Sequence, residues 1–139
     1  MKFKSAILLF IVLAGATMYV RGSDRAEDAA ESSAAAWLLL IDAGNYSASW
    51  TAASSLFRQR VAQSQWQTAA ANARAPLGVL KSRKLQSATF TREVPGAPDG
   101  KYVIVIFAST FENKAGAIET VTPMIDADGT WRVSGYYIR

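Results

Sequence analysis

From Asp24 onward the apolar residues first recur every third or fourth position and later fall into alternating or continuous runs, so the chain reads as helices followed by strands. Ala30, Ala34, Trp37, Leu38 and Ile41 form one helical stripe. Asp24 with Glu27 reads as an N-cap and its capping-box partner, and Gly44 supplies a left-handed stop, which predicts a helix over 24–43. After Asn45 and Tyr46, Ser47 is placed to cap a second, shorter helix whose apolar face carries Trp50, Ala53, Leu56 and Phe57. A third helix opens near Ser64, with Gln67 in capping-box position, and carries Trp66, Ala69, Ala70 and Ala73. Pro76 ends it, because the residue before a proline avoids the helical region.

Past Pro76 the pattern becomes that of strands. Residues 84–94 carry Leu85, Ala88, Phe90 and Val94 as their apolar members, and the turn cluster 95–100 (PGAPDG) follows. Residues 102–111 (YVIVIFASTF) are β-branched or aromatic on both faces, the mark of a central strand covered on both sides. A turn at 112–116 leads into a strand over 117–125, and Asp128-Gly129 returns the chain as a hairpin through 131–138. Helices first and a four-stranded antiparallel meander after them predict an α+β fold.

The residues before Asp24 read differently. Lys2 and Lys4 precede an apolar run from Ala6 to Val20, too short for an ordinary bilayer span and suited to a signal peptide over 1–22, followed by one domain over 23–139. Cleavage after Gly22 or after Ala16 fits the small-residue rule, which predicts a periplasmic or secreted protein; an uncleaved leader would instead tether it to a membrane. Removing the leader changes the charge. The whole chain holds 15 Lys+Arg against 11 Asp+Glu, and losing Lys2, Lys4 and Arg21 leaves 12 against 11. A near-neutral domain gives no electrostatic reason to expect a nucleic-acid partner. The chain has no cysteine and no histidine, so neither disulfides nor lipid attachment at a cysteine arise, and a zinc site or a Ser-His or Cys-His pair cannot be built. No metal or other cofactor is expected. Any catalysis would fall to carboxylates, Tyr, Lys or Arg.

Four segments, 34–50 (AAAWLLLIDAGNYSASW), 64–85 (SQWQTAAANARAPLGVLKSRKL), 95–124 (PGAPDGKYVIVIFASTFENKAGAIETVTPM) and 128–139 (DGTWRVSGYYIR), resemble the bacterial family called domain of unknown function 4019. The resemblance implies the nuclear-transport-factor-2-like (cystatin-like) superfold, a cone in which N-terminal helices pack on a curved four-stranded antiparallel sheet. It brings no activity with it. The superfold implies a pocket between helices and sheet, which some members use for acid–base chemistry and others for binding or pairing; ketosteroid isomerase works there with an Asp base opposite a tyrosine and a protonated carboxyl.

Several residues are candidates for a site. Trp37, Trp50, Trp66 and Trp131 either line an aromatic pocket or fill the core, with Trp50 and Trp66 the best placed to meet a ligand. Glu119 and Arg132 lie on the two strands of the last hairpin and read either as an inward pair binding a polar ligand or as a surface ion pair. Asp42 closes the first helix against an unfavourable dipole, which calls for a partner such as Arg74 or a backbone N–H. Arg74 is placed either to clamp an anion or to cap the third helix. Lys81, Arg83 and Lys84 read as a solvated strand edge. Two functions follow. The first is a non-enzymatic binding or interaction module, homodimeric through its sheet and with room for a small apolar ligand. The alternative is a cofactor-independent isomerase or hydro-lyase, with Asp42 or Glu119 as base and Tyr102 or Tyr136 as oxyanion donor.

Overall fold

The computed structural model describes residues 22–139. Residues 1–21, which hold the expected leader and its Ala16 cleavage point, lie outside the described residues. The elements run α1 (Gly22–Asp42), α2 (Tyr46–Ala52), α3 (Ser55–Arg60), α4 (Gln63–Arg74), a 3₁₀ turn (Ala75–Leu77), β1 (Leu80–Thr91), β2 (Tyr102–Phe111), β3 (Lys114–Ile125) and β4 (Trp131–Ile138). The strands form one antiparallel sheet in the order β1-β2-β3-β4. The fold is α+β, as the pattern predicts.

The stop after α1 is a Schellman motif. Gly44 sits at φ 73°, its N–H reaches Ile41 O at 3.0 Å, and the Asn45 N–H reaches Leu40 O at 2.9 Å. The other expected caps shift. Asn45, not Ser47, caps α2, its Oδ1 accepting from the Ala48 N–H at 3.3 Å. The expected second helix breaks at Ser54, whose side chain caps α3 from the Phe57 N–H while its own N–H reaches Val133 O at 2.8 Å. A buried serine that satisfies two backbone groups outcompetes one more helical turn. Gln65 rather than Gln67 folds back at the start of α4, onto the Ala62 N–H. Glu27 is not a capping partner either, since α1 already runs at Gly22 and Glu27 Oε1 accepts from the Phe90 N–H on β1 at 3.1 Å.

The first strand starts four residues earlier than predicted and leaves Val94 in the following loop. Register shifts at Leu80/Ser82 and Leu85/Ser87 break its alternation, which is why its apolar members obey no single period. One face of the sheet, through Val103, Val105, Phe107, Val121 and Val133, packs on the α1 stripe and on Phe57, Trp66 and Ala70. The other face is not covered as the two-sided apolar run of β2 suggested: Ile104, Ile106, Ala108 and Thr110 remain partly exposed among the described residues.

Candidate functional site

Six polar side chains, one each from α1, α4 and the four strands, meet at the end of the core. The Schellman stop fixes Asp42 at the last turn of α1, and Pro76 halts α4 just past Arg74. Sheet register supplies the rest. Arg83 lies opposite Ser109, Phe107 opposite Glu119 and Val121 opposite Tyr136, so Arg83, Ser109, Glu119 and Tyr136 share the inner face.

Glu119 is fully buried (0% exposed). Its Oε1 accepts from Arg83 Nε at 2.8 Å and from Ser109 Oγ at 2.5 Å, and its Oε2 accepts from the Tyr136 hydroxyl at 2.5 Å. Asp42 accepts from Arg74 Nη2 at 2.9 Å and from both terminal nitrogens of Arg83, at 2.7 and 2.9 Å. Arg83 thus forks between the two carboxylates, the geometry for which a guanidinium is suited. Arg74, only 5% exposed, stands 3.9 Å from Glu119 Oε2 through Nη1 and stacks its Cζ 4.6 Å from the Phe111 ring centroid. Its Nε and Nη1 have no hydrogen-bond partner among the described residues. Two cations face two anions, so the buried charge balances.

The electrostatics follow from that balance. Burial by itself would raise the Asp42 pKa, but the hydrogen bonds from Arg83 and Arg74 outweigh it and hold the carboxyl below its ordinary range. Burial likewise opposes the Arg83 charge, and the two carboxylates overcome it, holding the guanidinium above its ordinary value. Burial, and then the Glu119 charge, push the Tyr136 phenol up, so it stays protonated and donating. Beside Asp42 an open groove of about 510 Å3 runs past Tyr46, Arg74 and Gly78. Among the described residues no group of three acidic side chains gathers as metal ligands.

The model of the family described as Protein of unknown function (DUF4019) matches residues 33–136. The chain belongs to this DUF4019 family. The matched span includes all six residues of the polar cluster. No curated protein and no solved structure matches the chain.

Within this DUF4019 chain the predicted residues divide. Asp42, Arg74, Glu119 and Tyr136 come together. Arg132 does not join them: it lies opposite Met124, five positions along β3 from Glu119, and its guanidinium binds Asp128 at 2.7 and 2.8 Å, with Asp126 at 3.4 Å. The predicted Glu119–Arg132 pair is therefore absent, because the register that starts at the 126–130 turn sets β4's Ile138 opposite Glu119. Tyr102 is buried elsewhere, its hydroxyl donating to Pro98 O at 2.6 Å.

Three of the four tryptophans spend their indole N–H groups inside the fold. Trp37 Nε1 donates to Ser49 O at 2.8 Å, Trp66 Nε1 to Ser49 Oγ at 2.8 Å, and Trp50 Nε1 to Val61 O at 2.7 Å. Trp37, Trp66 and Tyr136 pack together, with ring centroids 5.5 to 6.5 Å apart. The basic run divides as well. Lys81 and Lys84 are exposed, whereas Arg83 turns inward, because the irregularities at Leu80/Ser82 and Leu85/Ser87 shift the strand's parity on either side of it. Ser109 was not anticipated; its place two residues before Phe111 on the inner face of β2 is the only signal the sequence offered.

Proposed function

We propose that this protein is an exported, non-catalytic binding domain built on the nuclear-transport-factor-2-like cone, pairing as a homodimer through the outer face of its sheet. The observation that carries this reading is the consumption of the acid–base groups by one another. A general base needs a carboxylate free to take a proton from a substrate. Glu119 instead accepts from Arg83, Ser109 and Tyr136, and Asp42 accepts from Arg74 and Arg83. Tyr136 directs its proton at Glu119, not into open space, so it offers no free donor to an oxyanion. The cluster serves to fasten six elements together and leaves binding to the surface. The partly exposed Ile104, Ile106 and Ile118, with Tyr137 at 62% exposed, support pairing through the sheet. The helices-then-meander order supports the cone, and the apolar run Ala6–Val20 supports export.

Native mass spectrometry of the protein from its host's envelope fraction tests the reading. A dimer beginning at Ser23 is the expected species; a monomer at high concentration removes the pairing, and a retained leader removes release into the periplasm. A second reading, a cofactor-independent isomerase, draws on the contact of Tyr136 with Glu119 beside a hollow of about 210 Å3 lined by Trp66, Ala70 and Ala73. Incorporation of solvent deuterium into a cyclic ketone by the wild-type protein, and not by a folded Glu119→Gln variant, would establish it.

A further inference from the structure

A second cleft, well apart from the polar cluster, lies between the first turn of α1 and the ends of the strands. Its volume is about 650 Å3, within the range of small-molecule sites. Arg25 enters from α1, Arg92 from just past β1 and Lys101 from just before β2, around an apolar floor of Phe90, Ile125 and Trp131. The floor is fixed: the Phe90 N–H is held by Glu27 Oε1, the Ile125 N–H donates to Lys101 O at 3.0 Å, and Trp131 O accepts from Ser33 Oγ at 2.9 Å. Arg92 stands over the Phe90 ring with Cζ 5.5 Å from its centroid.

The cations here are not paired as those of the polar cluster are. Among the described residues none of Arg25, Arg92 and Lys101 forms a salt bridge. Asp24, Asp28, Glu93 and Asp99 lie close in the chain, but none of them pairs with these cations among the described residues, and three other carboxylates at this end are engaged elsewhere. Asp126 accepts from Ser55 and Ala127, Asp128 is held by Arg132, and Glu27 accepts from Phe90. Three cations without a salt bridge above an aromatic floor complement a ligand with one negative head and an apolar body: the guanidiniums take an oxyanion in a forked geometry, and the rings take the hydrocarbon.

We propose that this cleft binds a small amphiphilic organic anion, a carboxylate or sulfonate carried on an aliphatic or aromatic body. The proposal rests on the reading of the protein as a binding domain and names the site and the ligand class. The test is an amide and indole NMR titration of the purified protein with sodium octanoate, in parallel with octylammonium chloride and with phosphatidylglycerol vesicles. Octanoate is expected to move the signals of Arg25, Phe90, Lys101 and the Trp131 indole in a saturable way, and octylammonium to leave them in place. The Arg92→Gln/Lys101→Gln double variant, altered only at exposed side chains, is expected to weaken octanoate binding about tenfold while the buried Trp66 indole signal stays unchanged.

Equal responses to octanoate and octylammonium would overturn the proposal, since apolar contact alone would then suffice. Binding of vesicles without binding of octanoate would also overturn it, assigning the cations to a lipid surface. Shifts confined to the groove beside Asp42 would refute this cleft while leaving a binding domain in place. No response to octanoate at millimolar concentration would refute the cleft as well. The binding-domain reading itself fails separately, on deuterium incorporation that depends on Glu119.

Discussion

Replacing Glu119 by Gln removes one negative charge at a position with no solvent access and almost no change in volume. Arg83 then loses its partner at 2.8 Å and Arg74 the anion at 3.9 Å, so Asp42 alone faces two guanidiniums. The new amide still accepts from Ser109 or Tyr136, but its NH2 group presents donors to donors. Breaking a buried ion pair by removing one partner costs about 3–5 kcal/mol, because the orphaned charge has given up its hydration. That is about a fifth or more of the roughly 5–15 kcal/mol by which domains of this size are stable. In urea, with a slope of about 1.5 kcal/mol per molar, the unfolding midpoint should fall by about 2–3 M. Tryptophan fluorescence reads the transition, since Trp37 and Trp66 pack beside Tyr136. Adding Arg83→Gln restores the charge balance by leaving Asp42 with Arg74, so the double variant should recover about 1–3 kcal/mol relative to the sum of the two single losses. A midpoint shift below about 0.5 M for Glu119→Gln, or strict additivity in the double variant, would refute the view that the four charges act as one unit.

Three other expectations can be checked with the same instruments. The Asp42 pKa is held below the ordinary 3.8, so its contribution to stability is complete above about pH 4 and is lost as pH falls through the lower folded value; Asp42→Asn should flatten the acid side of the stability profile, and an unchanged profile would contradict this. Ser49→Ala removes the acceptor of the buried Trp66 indole N–H, which should cost about 1–3 kcal/mol in urea unfolding; a change near zero would show that the indole finds another partner. Gly78 and Gly44 share φ +73°, but a Cβ at Gly78 would stand 2.9 Å from Glu112 Oε2 and 3.0 Å from Glu112 Cβ, whereas none meets an atom within 4 Å at Gly44. Gly78→Ala should therefore lower the melting temperature clearly more than Gly44→Ala, which pays only the roughly 1 kcal/mol of a left-handed alanine; equal losses would refute the steric argument.

The elements of this fold were legible where the physics is local. The α1 stripe from Ala30 to Ile41, the stop at Gly44, the break at Pro76 and the Asp128-Gly129 turn each follow from a few neighbouring residues, and each stands where the sequence put it to within one or two positions. What was hidden depended on pairing. Arg83 looked like one of three surface cations, and the irregularities at Leu80/Ser82 and Leu85/Ser87 place it on the inner face. Arg132 looked like the partner of Glu119 because both belong to one hairpin, but its carboxylates come from the 126–128 turn. Arg74 was one of two partners expected for Asp42, the other being a backbone N–H, because a carboxylate at a helix C-terminus calls for a donor, a requirement visible from one residue. Arg25, Arg92 and Lys101 gave no signal at all, being scattered along the chain and brought together only by the ends of two strands and a helix.

The polar cluster also has a temporal meaning. Its four ion pairs join residues 32, 36, 41 and 45 positions apart, and all but the Asp42–Arg74 pair require sheet strands to be in place. Loops of that length must close before these charges meet, whereas the α1 stop and the strand turns can form within short stretches of chain. The cluster is thus a latch set late on the way to the native state. Energy stored in late contacts slows escape from the native state more than it speeds arrival there. Such a latch lengthens the native lifetime of the domain without demanding a larger core.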